Sequence, residues 1–198
     1  MSQVTQEELK QLDIVKGNVV GIALIDDFKF IQNRKGIEGV KKIEEEMARL
    51  GYPLKFKELK SFKWYPEKVN LLLFVTQKTF EWDDNTMREM GAFGARVSIM
   101  IRFMLKYFIS IKKLIKGTQY WRRYHDTGEL VVIKANIQQK FAIFEISDFT
   151  PGYSSHCRYI EGYMEQIASY VVPTGNPRIR EMECVFSGGK SHIFKITW

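Results

Sequence analysis

The sequence is poor in the residues that most often announce chemistry. Its 198 residues include two cysteines, three histidines and five prolines. Two cysteines build no disulfide framework, so a reducing, cytoplasmic setting is expected. No apolar stretch follows basic residues at the start, so no signal peptide is expected. Long uncharged hydrophobic runs are also missing. The most apolar stretch, Val97 to Ile115, is broken by Arg102, Lys106, Lys112 and Lys113, which argues against a membrane span. There is no Gly-x-Ser-x-Gly elbow and no phosphate-cradling glycine loop, since Gly188-Gly189-Lys190 reads as a hairpin turn. No internal repeat stands out.

What is present suits a packed domain. Hydrophobic residues make up 45% and aromatics 14%, enough for a core and a lined cavity. The net charge of +7 is spread along the chain and reads as a solvated surface. A nucleic-acid partner is not expected, although Lys112, Lys113, Lys116, Arg122 and Arg123 mark where one would sit.

Periodicity orders the elements. Glu7 to Ile14 has a short helical pattern. Asn18 to Leu24 reads as a strand, with Phe28 to Ile31 as its hairpin partner and Asp26-Asp27 in the turn. Ile37, Val40, Ile43, Met47 and Leu50 repeat at helical spacing. Helices are expected from Pro66 to Phe80, from Thr86 to Ser98 behind an Asp83-Asp84-Asn85 cap, and over Ile99 to Ile115. Gly91 and Gly94 suggest that another backbone or a ligand comes close. Glu129–Ala135 and Phe141–Ile146 read as strands, Ser154 to Val171 as a helix, and the tail as a hairpin. The fold class is α+β: a helical layer on a four-stranded, mostly antiparallel sheet. Residues 1–58 are an N-terminal segment, part of the domain or appended to it, and residues 59–198 are the domain proper.

Both cysteines fall in the tail. A three-residue loop, Ser187 to Gly189, sets Cys184 opposite His192, and a preceding helix brings Cys157. Glu181 points to the wrong face of a regular strand and needs a bulge to join them. Cys157, Glu181, Cys184 and His192 then form a candidate four-ligand metal site of structural type. On spacing alone, inert core residues are the better reading.

The tail resembles the 4-vinyl reductase type of small-molecule-binding domain. That type shares a superfamily with haem–nitric oxide sensor domains and a Golgi vesicle-tethering subunit. The resemblance rests on Cys157, Gly162, Glu181, Cys184, Gly188 or Gly189, and His192, the last standing where the family has a cysteine. It implies zinc at the tail and an apolar pocket between helices and sheet. Pocket candidates are Trp64, Phe74, Phe93, Met100, Phe103, Met104, Tyr107, Trp121 and Tyr124. Haem-binding relatives carry a histidine upstream of Tyr-x-Ser-x-Arg. His125 lies 153 − 125 = 28 residues before Tyr153, but Cys157 replaces the arginine. Haem is therefore not expected, and His125 reads as an exposed histidine at a helix end. The function implied is a non-enzymatic sensor for an apolar or aromatic ligand. It would signal as a homodimer or through a separate output protein. The alternatives are a haem-based gas sensor and a metal-dependent enzyme.

Overall fold

Thr5 opens the first helix, α1 (Gln6–Leu9), with a capping box: its hydroxyl accepts from the Glu8 amide and the Glu8 carboxylate accepts from its own. A short strand, β1 (Asn18–Val20), runs straight into a long helix, α2 (Gly21–Arg49). The computed structural model describes residues 4–98, 101, 110–149, 152–172 and 176–198. Gly36, at φ 67° inside α2, puts a kink between its halves.

Here the structure corrects the sequence reading. The expected hairpin of Asn18–Leu24 with Phe28–Ile31 is helix beyond Val20. Leu24, Phe28 and Ile31 recur at i, i+4 and i+7 and are fully buried, so the helical period won over the β-branched composition. Asp26 and Asp27, expected in a turn, lie buried on this helix. The partner of β1 is β2 (Trp64–Pro66), with Asn18 facing Pro66 and Val20 facing Trp64.

Next come α3 (Leu71–Phe80), α4 (Asp84–Val97) and α5 (Ile111–Ile115). Asp83 caps α4 by accepting from the Thr86 amide at 2.8 Å. The second half holds β3 (Glu129–Asn136), β4 (Phe141–Ser147), α6 (Ser155–Ser169), β5 (Arg178–Glu183) and β6 (His192–Thr197). The four strands form one antiparallel sheet in the order β3-β4-β6-β5, with helices over it. Along β4 every second residue is buried: Ala142, Phe144 and Ile146. With Phe194 and Ile196 of β6 they pack against Ile160 and Ala168 of α6.

Helix α6 is thus the middle layer. Its other side lies against α4 so closely that side chains do not fit at the crossing. A Cβ added at Gly91 would sit 2.0 Å from the Tyr159 carbonyl oxygen. One added at Gly162 would sit 1.9 Å from the Arg88 carbonyl oxygen. Arg88 also pairs with Glu161 and Glu165 of α6, which fixes the register of the two helices.

Candidate functional site

Two sites share α6. The first is a cavity of about 150 Å³ between the helical layer and the sheet. Its walls are mostly apolar, from Val19 and Leu73 on one side to Phe144 and Ile196 on the other. That volume admits one benzene-sized ring.

His125 lines this cavity. It is 9% exposed, not the exposed helix-end residue expected. Three features hold it. Its backbone bridges to Val19, its ring stacks on Trp121 at 4.3 Å between centroids, and Nδ1 bonds the Glu67 carboxylate at 3.1 Å. Glu67 is itself buried and also accepts from Asn70. With Nδ1 taken, Nε2 is the nitrogen left for a ligand.

Polar side chains share the cavity with this imidazole. Asp26, Asp27, Tyr124, Tyr159, Tyr163 and His156 all line the cavity. Burial pushes the Asp27 carboxyl well above the usual range, against a lowering bond from Tyr159. One Asp27 oxygen and the Tyr163 hydroxyl have no partner among the described residues. Burial holds His156 well below its usual pKa, with His125 and His192 adding to the effect, and its Nδ1 has no partner among the described residues.

A pH dependence follows. A carboxyl whose folded pKa is raised stabilises the fold below its unfolded pKa, near 3.8, and loses that contribution as pH climbs through the folded value. Asp27→Asn should therefore raise the urea midpoint at pH 7 relative to the parent. Each unit of raised pKa is worth about 1.4 kcal/mol. The gain should shrink toward pH 4. A gain that stays constant from pH 7 to pH 4 would contradict a buried Asp27 carboxyl.

Of the pocket residues expected from sequence, Trp121 and Tyr124 line the cavity. Trp64 is 43% exposed on β2. Phe74 stacks on Tyr153 at 4.0 Å, and Phe93 packs on Phe30 at 5.4 Å, both within the helical layer. Met100, Phe103, Met104 and Tyr107 lie outside the described residues. The wall that was missed comes largely from α6. His156, Tyr159, Ile160, Tyr163 and Ile167 recur at helical spacing along one face, a signal present in the sequence. Tyr153 of the Tyr-x-Ser stretch does not line the cavity; its hydroxyl donates to the Glu8 carbonyl at 2.9 Å.

The second site begins one residue along α6. Cys157, Glu181, Cys184 and His192 each offer a ligand atom, all within 4.8 Å of one another. The sulfurs are 3.7 Å apart, Cys157 Sγ is 3.5 Å from His192 Nδ1, and that nitrogen is 3.2 Å from Glu181 Oε1. A tetrahedral ion with bonds of about 2.3 Å to sulfur and about 2.0–2.1 Å to nitrogen and oxygen needs edges of about 3.8, 3.6 and 3.3 Å. Glu181 reaches the cluster because the β5–β6 register shifts between Glu181 and Glu183. The connection is longer than the three-residue loop expected. The strands stop at Glu183 and resume at His192, with a 3₁₀ turn, Val185–Ser187, between them. Burial pushes both thiols up. Burial also raises the Glu181 carboxyl, but bonds from His192, Cys184 and Cys157 and the Arg158 charge outweigh it and hold it low.

No family model and no curated protein matches this sequence. Solved structures do. An H-NOX protein from S. oneidensis in the Fe(II)NO ligation state is 14% identical, with a TM-score of 0.68 over 89% of this chain and 97% of that one. The fold is that of the H-NOX domains. An Fe(II) unliganded H-NOX protein from K. algicida is 15% identical, with a TM-score of 0.61 over 90% of this chain and 95% of that one. At such identities the likeness is one of fold.

The comparison corrects the cofactor reading. Setting haem aside for want of an arginine at Cys157 does not hold, because the H-NOX fold is that of haem–nitric oxide sensors solved in iron ligation states. Zinc, named from the resemblance, gains no support from these structures. Among the described residues, no helix is long and apolar enough to cross a membrane.

Proposed function

We propose that this chain is a small-molecule sensor domain and that the cavity takes haem, gripped by His125. The observation that carries this reading is the Glu67–His125 pair. A buried carboxylate holding one imidazole nitrogen fixes the tautomer and orients the other, which is how metal-ligating histidines are ordinarily supported. Bound haem supplies an iron that takes a diatomic gas. The rest falls to the chain. Trp121 and Phe149 hold the His125 ring in place, and the apolar walls keep water out. A volume of about 150 Å³ is smaller than a porphyrin, so binding requires the walls to part. That movement is what a partner protein or a second copy of the chain would read.

The volume itself favours a second reading, in keeping with the 4-vinyl reductase resemblance: a single-ring apolar ligand with a polar group set against Asp27 and Tyr163. Thermal unfolding separates the two. Under the haem reading, hemin at about 100-fold over its Kd raises stability by about 2.7 kcal/mol, and His125→Ala loses that gain. A gain from phenol or benzene, unchanged in His125→Ala, would favour the single ring instead.

We propose further that Cys157, Glu181, Cys184 and His192 bind a tetrahedral metal ion. All four positions are filled by protein, so the ion would be structural. It would pin the start of α6, where His156 faces the cavity and Cys157 faces the cluster.

A further inference from the structure

We infer that the loop from Lys55 to Trp64 is a docking surface for an anionic lipid membrane. Phe62, at its turn, is 81% exposed, and Trp64 beside it is 43% exposed. Lys55, Lys57, Lys60 and Lys63 lie in the same loop, all exposed, against one acid, Glu58. Lys55 is partly neutralised by Glu44 at 3.2 Å, and Lys63 lies over the Tyr65 ring. Lys57 and Lys60 have no ion pair among the described residues.

The exposure of Phe62 is built in, because its backbone is fastened to the start of α2. Among the described residues, no side chain caps that helix at Val20. The carbonyls of Ser61 and Lys63 accept from the amides of Ile22 and Gly21 at 2.9 and 2.8 Å, and the Lys60 amide donates to the Tyr65 hydroxyl at 3.0 Å. A Cβ at Gly21 would lie 2.3 Å from the Lys60 carbonyl oxygen, so helix and loop meet closely. Phe62 is thus held outward and cannot fold back onto the core. A phenyl ring with no polar handle gains by entering an apolar medium. An indole suits the headgroup layer, and lysines suit anionic lipid. Nucleic acid would meet the same lysines, but it stacks on aromatics lining a groove, and Phe62 stands on a protruding turn.

Co-sedimentation of the full chain with vesicles tests this. Vesicles with about three phosphatidylserines per ten lipids should carry the protein down at low salt, and pure phosphatidylcholine vesicles should not. Phe62→Ser and the double variant Lys57→Glu/Lys60→Glu should each bind at least tenfold more weakly, with unchanged unfolding midpoints. Binding should be lost at about 0.5 M salt. No binding to the anionic vesicles would overturn the inference. So would binding that Phe62→Ser leaves intact, or displacement from vesicles by an equal concentration of oligonucleotide.

Discussion

Gly162→Ala should cost about 3 kcal/mol or more, lowering the melting temperature by roughly 6–12 °C for a chain of this size. The new methyl would sit 1.9 Å from the Arg88 carbonyl oxygen and 2.6 Å from its carbonyl carbon. Backbone cannot rotate away as a side chain can, so α4 and α6 must part. Parting them also stretches the Arg88 pairs to Glu161 and Glu165. The variant therefore strains the layer that carries His156 and Cys157 as well as destabilising the fold. Gly188→Ala is the control. It sits at φ 87° with nothing within 4 Å among the described residues, so only backbone strain applies, on the order of 1 kcal/mol. Circular dichroism melts of the two variants check the contrast. Equal losses would mean that the helix crossing is looser than described.

Cys184→Ala should empty the tail cluster. Removing one of four ligands costs more than the roughly 10–100-fold in affinity lost with an outer-shell partner. Elemental analysis should find about one tetrahedral-type metal per parent chain and much less in the variant. Cys184 is only half-buried, so its truncation spares the core that His192 and Cys157 occupy. Arg158→Ala probes the support. Its guanidinium pairs with Glu181 and Glu161, so without it Glu181 is left less firmly placed and affinity should fall by about 10–100-fold. A parent protein without metal, even when purified with metal in excess, would leave the four residues a hydrogen-bonded core cluster.

What was legible in the sequence tracks how local the signal is. The α+β order, with β3, β4 and the tail hairpin, followed from alternation and turn residues. Helix α4 followed from its Asp83 cap, and its crowding from Gly91. The start of α2 was misread because Val19, Val20 and Ile22 favour strand by composition, while burial of Leu24, Phe28 and Ile31 decides for helix. Asp26 and Asp27 went with it, since adjacent aspartates ordinarily mark a turn. Long-range pairings were not legible. Nothing near His125 announces Glu67, which lies 58 residues away, or the β1 bridge that buries it. The tail was the opposite case. Cys184 and His192 lie near each other in sequence, and the bulge that Glu181 requires is present in the β5–β6 register.

The proposed sensor function rests on haem held by His125 in the cavity. The most direct measurement is the visible absorption spectrum of the protein purified from haem-replete cells, alongside His125→Ala. A Soret band is expected in the parent, at about one haem per chain, that is lost in His125→Ala and restored by added imidazole. A colourless parent that stays colourless on adding hemin would contradict it, as would a band that persists unchanged in His125→Ala.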